Sequence, residues 1–189
     1  MNRIISRRPL SGLSYGGKEH FYMDEKEVRR VVETYSDMIL RISYNYLQHT
    51  FDAEDICQTV LLKFISGDLS FDTKEYEKAW MIRTTINACH DLRRSAYSRK
   101  MVGLDAVKEK EAPKAPDSDL LEEIKKLPVN YRMSIYLYYY EGYSVKDIAK
   151  IMGKSKLAVS QYLSRGRREL RKRMEEEGIY GAKAGEIYE

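Results

Sequence analysis

The sequence predicts an all-α protein of two small helical domains joined by a flexible linker. Three observations predict it. Apolar residues recur at intervals of three and four in segments on both sides of residue 110, and no stretch alternates as a half-buried strand would. The 189-residue chain is 33% charged, with only 11 Gly and 4 Pro, a composition suited to helices rather than to disorder. Between the two helical groups lies Met101 to Asp119, with Pro113, Pro116, many charges and no apolar stripe, as expected of a linker.

The elements follow in order. Residues 1–22 carry Pro9, Gly12, Gly16 and Gly17 without helical periodicity and form an N-terminal extension expected to be poorly ordered. Asp24, with Glu27 three residues on, is a helix start, and Val28, Val31, Val32, Tyr35, Ile39, Ile42 and Tyr46 form the buried stripe. A second helix is expected after Phe51 with Asp52 as its cap, burying Ala53, Ile56, Cys57, Val60, Leu61 and Phe64. Gly67 to Asp72 reads as a loop. Thr73 then caps a longer helix to about Ser98 whose core side is Ala79, Ile82, Ile86, Cys89, Leu92 and Ala96. After the linker, Leu120, Leu121, Ile124 and Leu127 make a short helix. Pro128 opens the next, which runs to Glu141 before Gly142. Ser144 caps a helix ending at Gly153, and Ser155 caps a long last one. The expected organisation is an extension over 1–22, a domain over 23–100, a linker over 101–118, a domain over 119–174 and a tail over 175–189.

The net charge is only +4, but it is uneven. Lys154 to Arg173 holds eight Lys or Arg against the single acid Glu169, a local patch suited to nucleic acid. Cys57 and Cys89 stand apart with no CxxC pair, which excludes a disulfide scaffold or zinc ribbon and points to two buried thiols in a reducing cytosol. No apolar run approaches the roughly 18 residues that a membrane span needs. Arg3, Arg7 and Arg8 are not followed by an apolar signal core. A cytoplasmic protein with no metal, no cofactor and no membrane insertion is expected.

Val145 to Leu163 has helix-turn-helix spacing: Ala149 is small where two helices meet, Gly153 sits at the turn, and Val159 pins the second helix. A plain helical hairpin would share that spacing. The outward face argues for more. With Val159, Leu163, Gly166 and Leu170 inward, Leu157, Gln161, Ser164 and Arg168 point away, flanked by Lys156, Ser160, Arg165 and Arg171. Gln can pair two-pronged with an adenine edge, Leu can touch a thymine methyl, and the cations can neutralise phosphates. Double-stranded DNA binding is the expected role.

In the second helix Asp55, Gln58 and Leu62, with Glu54 beside them, lie opposite the buried face. An exposed Leu among acids and an amide suits a protein contact, although a stray surface Leu would need no explanation. Opposite the core side of the third helix run Tyr76, Trp80, Arg83, Asn87, His90, Asp91 and Arg94. Unpaired bases stack on aromatic rings while cations hold the backbone; the bland alternative packs Trp80 on the first helix and leaves the arginines solvated.

Together these segments resemble the extracytoplasmic-function sigma factors of the sigma-seventy superfamily. Asp52-Ala-Glu-Asp-Ile-Cys-Gln-Thr-Val-Leu-Leu-Lys-Phe64 is similar to the polymerase-binding segment of region two. The third helix, with Trp80, Arg83, Asn87, Asp91 and Arg93-Arg94, is similar to the segment that melts and reads the minus-ten element. Leu127-Pro-Val-Asn-Tyr-Arg132, Glu141-Gly-Tyr-Ser144 and the helix-turn-helix are similar to region four, the minus-thirty-five reader. The match spans about residues 25–98 and 118–173.

The resemblance implies that Asp55, Gln58 and Leu62, with Glu54, dock on the clamp of the largest polymerase subunit. It implies that Tyr76, Trp80, Arg83, Asn87, His90 and Arg94 engage the melted minus-ten strand, the Ser66–Asp72 loop holding a flipped base with Asn87 nearby. Region four then enters the minus-thirty-five major groove through Lys156, Leu157, Ser160, Gln161, Ser164, Arg165 and Arg168, and also touches the polymerase flap. The partners implied are core RNA polymerase and promoter DNA, double-stranded and melted. Many members are held inactive by an anti-sigma factor, and the apolar clamp face suits one. The chain departs from the family at Ser160 and Tyr162, where a basic residue is common, so phosphate affinity there is expected to be weaker or carried by Arg165, Arg167 and Arg168. Two other readings stand beside this one. A polymerase-independent helix-turn-helix regulator would need a dimer interface or ligand pocket. A recombinase would need a positioned nucleophile and a strand-bearing catalytic domain.

Overall fold

The computed structural model describes residues 23–67, 69–101 and 118–176. The N-terminal extension, the linker between its two ends, and the tail beyond Glu176 lie outside the described residues. The described residues are helical, with no strand longer than the single bridge residue Ser70. They cluster into two compact units, dividing between Leu104 and Asp105.

The first unit is three helices, α1 (Glu25–Leu47), α2 (Thr50–Ile65) and α3 (Lys74–Met101), each packed on the other two. Asp24 starts α1 by accepting the Glu27 N–H at 2.7 Å, one of the four donors that a helix start leaves unpaired. Val31, Tyr35, Ile39, Ile42 and Tyr46 are buried as the spacing predicts, joined by Met38. Val32 is a correction: it faces solvent, because a stripe of that width uses only one of two adjacent positions at its edge.

The junction of α1 and α2 also differs from expectation. Gln48 adopts φ 58°, ψ 34°, the left-handed conformation that usually ends helices through Gly. His49, not Asp52, is the cap of α2, its Nδ1 accepting the Asp52 N–H at 3.2 Å. The helix therefore starts at Thr50 and carries Phe51 out to solvent. The Thr73 cap of α3 is present, its hydroxyl accepting the Tyr76 N–H at 3.3 Å. Ile82, Ile86 and Cys89 are buried, with Met81 and Thr85 completing the inner face. Arg30 ties α1 to α3, donating to both Glu77 carboxylate oxygens at 2.9 and 3.1 Å and to Glu27 at 2.7 and 2.9 Å.

The second unit holds α4 (Ser118–Lys126), α5 (Val129–Ile135, continuing as a π-helical turn over Tyr136–Tyr140), α6 (Val145–Met152) and α7 (Lys156–Glu176). α4, α5 and α6 all pack on α7. In α4 the expected face is corrected: Leu127 is buried, but Leu120 and Leu121 are about half exposed, and Glu123 is 1% exposed, paired with Lys126. The buried Arg132 explains the join to α5. It donates to the carbonyls of Lys125 at 2.6 Å and Leu127 at 2.8 Å, satisfying acceptors that the end of α4 would otherwise leave orphaned. Gly153 takes φ 63° and closes α6. Gly166 lets α5 and α7 approach: a Cβ there would stand 2.9 Å from Ile135 Cδ1 and 3.2 Å from Tyr131 Cβ.

Candidate protein and nucleic-acid interfaces

Three exposed faces carry the chemistry, one each on α2, α3 and α7.

On α2, Ala53, Ile56, Cys57, Val60 and Phe64 face the core, so the helix presents its opposite line outward. Glu54, Asp55 and Gln58 are exposed there and Leu62 is 64% exposed. Sequence reasoning stopped one turn short. Phe51 is 67% exposed, and positions 51, 55, 58 and 62 fall on one line of a 3.6-residue helix. The stripe is thus an aromatic and a leucine flanking an acid and an amide. The Phe51 signal was legible as i, i+4, i+7, i+11 spacing, but the misplaced cap put Phe51 outside the helix.

On α3, Tyr76, Arg83, Asn87, His90 and Arg94 are exposed along one line. Arg94 lies 3.2 Å from Asp91, an exposed i, i+3 pair that contributes little and can be exchanged for another anion. Trp80 differs from the rest of its stripe. It is half-buried, with its ring 5.6 Å from Phe64 and 6.0 Å from Phe71. Phe71 in turn lies nearly parallel to Phe64 at 5.9 Å. Trp80 therefore rests on rings of α2 and the loop, and its aromatic neighbours hold the loop against the helix pair. Asn87 is seven residues along α3 from Trp80, roughly 10 Å of helix rise. In the Ser66–Asp72 loop, Asp68 lies outside the described residues.

On α7, Val159, Leu163 and Gly166 are buried. Lys156, Leu157, Ser160, Gln161, Ser164, Arg165 and Arg168 are all exposed, Leu157 at 69%. Ser155 starts the helix, its hydroxyl accepting the Ala158 N–H at 3.1 Å. Ser144 starts α6 by accepting the Asp147 N–H at 3.2 Å and donating to its carboxylate at 2.6 Å, which holds Asp147 below its usual range. Ile148, Ala149 and Ile151 of α6 pack against the buried side of α7, leaving α7 to project its opposite face. This is a helix-turn-helix whose second helix carries an amide and a leucine ringed by cations.

The family models for Sigma-70 region 2 and Sigma-70 region 4 match residues 31–99 and 118–170, together well over half of the chain. The chain belongs to the sigma-70 family, in its extracytoplasmic-function branch. As a sigma factor it directs RNA polymerase to promoters for transcription initiation. It is 24% identical over 142 residues to RNA polymerase sigma factor SigV of Bacillus subtilis, covering 74% of this chain and 86% of that protein. It is 26% identical over 171 residues to ECF RNA polymerase sigma factor SigW of the same organism, covering 80% and 90%. Among solved structures, the sigma factor RpoE, crystallised with the anti-sigma factor NepR from Bartonella quintana, matches with TM-score 0.58 at 19% identity, covering 78% of this chain and 96% of that one. CnrH, in complex with the cytosolic domain of CnrY, matches with TM-score 0.56 at 18% identity, covering 80% and 90%. At those identities the two structures speak for the fold of this sigma factor alone.

Among the described residues no helix is long and apolar enough to cross a membrane, and no three His, Cys, Asp or Glu side chains are grouped to hold a metal ion.

Proposed function

We propose that this sigma factor divides its work among the three faces. The α2 stripe of Asp55, Gln58 and Leu62, with Glu54 beside it and Phe51 extending it, docks on the clamp of the largest polymerase subunit. The α3 stripe of Tyr76, Arg83, Asn87, His90 and Arg94 holds the opened minus-ten strand, with Trp80 as a ring already seated at the edge of the Ser66–Asp72 loop. The exposed face of α7, from Lys156 to Arg168, enters the minus-thirty-five major groove while region four also contacts the flap. The chain performs no covalent chemistry of its own and works in the cytoplasm with polymerase. An anti-sigma factor, of the kind seen bound to RpoE, competes for the apolar clamp face.

One observation carries the reading. Leu62 and Leu157 each stand more than 60% exposed within a polar stripe on a helix whose opposite side carries the buried residues. Neither leucine stabilises the free protein, and each would be buried by the partner proposed for its helix, protein for Leu62 and a thymine methyl for Leu157. A polymerase-independent regulator needs only the α7 face and leaves the other two faces without a role.

The test is to reconstitute core polymerase with the chain and sequence the transcript starts. Specific starts are expected from a defined promoter class. Asp55→Arg loses polymerase binding while region four still binds its duplex. Asn87→Ala keeps polymerase binding and loses strand opening. A mutant that leaves promoter-specific transcription intact removes that residue from the scheme.

A further inference from the structure

The second half of α7 carries more positive charge than the helix itself balances. Arg173 pairs with Glu169 at 3.0 Å and Lys172 with Glu176 at 3.7 Å. Arg167, Arg168 and Arg171 are exposed and form no ion pair among the described residues. With Ser164 and Tyr139 they line an open cleft of about 460 Å³ in the second unit, and none of its lining residues is an acid.

Tyr139 reaches the cleft from the π-helical turn, where the Glu141 N–H bonds back five residues to the Tyr136 carbonyl at 3.2 Å. A π turn inserts one residue into a helix, and such turns often mark functional positions. Tyr138, Tyr139 and Tyr140 stand exposed in succession along it. The Tyr139 hydroxyl oxygen accepts a hydrogen bond from Arg167 Nη1 at 3.3 Å, and the Tyr138 ring meets the Tyr139 ring edge-on at 5.0 Å. One side of the cleft is therefore aromatic and the other guanidinium. A guanidinium takes a carboxylate two-pronged and also stacks on a ring. The occupant that fits is a peptide segment carrying carboxylates and aromatic or aliphatic side chains next to one another.

The chain carries such a segment a short way past α7. Glu186-Ile-Tyr-Glu189 sets two acids around an isoleucine and a tyrosine, and residues 177–189 hold three acids against the single cation Lys183. That balance is the reverse of Lys154 to Arg173, with eight Lys or Arg against Glu169. The geometry permits the return. Arg168 and Arg171 lie about 12 and about 7.5 Å back along the axis from Glu176, the last described residue of α7. The ten residues from there to Glu186 span at most roughly 33 Å, and Gly178 allows the reversal of direction. We propose that Glu186–Glu189 folds back into the cleft, its carboxylates on Arg168 and Arg171 and Tyr188 against Tyr139. The covalent tether gives this segment a far higher effective concentration than an acidic segment of another molecule has. Ser164 and Arg168 belong both to the cleft and to the outward polar face of α7, so the docked segment covers the end of that face. It thereby holds down duplex binding by the free chain. This masking rests on α7 being the DNA-reading helix; the docking itself does not.

Docking is read without DNA. Cys57 and Cys89 are buried, so a nitroxide label can be directed to an Ala184→Cys variant of the full chain. Amide signals of Tyr139 and of Ser164 to Arg171 are expected to broaden, to the same extent on dilution. Glu186→Lys with Glu189→Lys is expected to abolish the broadening, and adding Arg168→Glu and Arg171→Glu to that pair is expected to restore it, as charge pairing requires. Absent broadening overturns the proposal, as does broadening that survives the two lysines. Broadening that fades on dilution overturns it as well, and makes the contact one between two copies of the chain. Masking is read with a duplex carrying the minus-thirty-five element found by transcript-start sequencing, in about 50 mM salt, where such charge contacts are weakly screened. Removing residues 177–189, or reversing only Glu186 and Glu189, is expected to tighten duplex binding several-fold. Unchanged affinity in both variants overturns the masking. A shortened chain that binds no duplex overturns instead the reading of α7 as the DNA helix, and the broadening still decides the docking.

Discussion

Phe51 and Leu62 bracket the α2 stripe at 67% and 64% exposure, and neither belongs to the buried core of its own unit. Truncating Phe51 therefore leaves stability almost untouched. If the stripe is the clamp contact, Phe51→Ala weakens core polymerase affinity by roughly tenfold, about 1.4 kcal/mol, the size of an interface anchor. Titration of labelled chain with core polymerase, beside a melting curve, separates the two effects. Cys89 behaves in the opposite way. Burial pushes its thiol from 9.0 up to about 12, and burial raises Cys57 and Tyr35 in the same direction. A group whose folded value is raised contributes stability that is complete below its unfolded value and is lost as pH rises toward the folded one. The first unit should hold its stability to about pH 9 and lose it progressively toward pH 12. Cys89→Ala should flatten that decline in a circular-dichroism titration. At neutral pH both cysteines stay protonated and buried, so alkylating reagents should label them only after unfolding.

The joins between helices set how the second unit responds to mutation. Arg132 serves two carbonyls at the end of α4 from a buried position. Arg132→Ala strands those acceptors and should cost about 2 kcal/mol or more, read as a lowered melting temperature. Gly166→Ala sets a Cβ 2.9 Å from Ile135 Cδ1 and 3.2 Å from Tyr131 Cβ. The isoleucine end can move but the tyrosine Cβ is fixed to backbone, so a cost of about 1–3 kcal/mol is expected. Because α7 would tilt on α5, Gly166→Ala should also reduce minus-thirty-five binding beyond its effect on melting. In the first unit, Arg30 on Glu27 and Glu77 plays the joining role between α1 and α3, with Glu77 only 13% exposed.

For the whole molecule, the proposal is two modules working as one reader. Each region alone binds its promoter element weakly. Joined and docked on polymerase, the second contact becomes intramolecular and gains effective concentration. Introducing a protease site between residues 102 and 117 and cutting it should leave the melting transition of each unit in place. It should lower promoter-specific initiation on the order of 100-fold. Retention of full initiation after cleavage would show that the connection carries no weight.

Most of the helices and the exposed polar face of α7 were legible in the sequence, because they depend on local rules. Period 3.6 patterning, Asp24, Thr73, Ser144 and Ser155 at helix starts, and Gly153 at the turn need only neighbours a few residues away. The regions two and four that match the family are likewise written in residue order. What the sequence left open depends on groups far apart in the chain. Val32, Leu120 and Leu121 are apolar by type but lie outside the buried surface, which is fixed by where neighbouring helices end. His49 became a cap and Gln48 a left-handed turn because the packing of α1 on α2 demands that corner, against the preferences of both residue types. Trp80 is seated by Phe64 and Phe71, sixteen and nine residues away, and Arg167 finds Tyr139 across 28. Local propensity acts through bonds and helical turns, whereas these contacts exist only once the chain has folded back on itself.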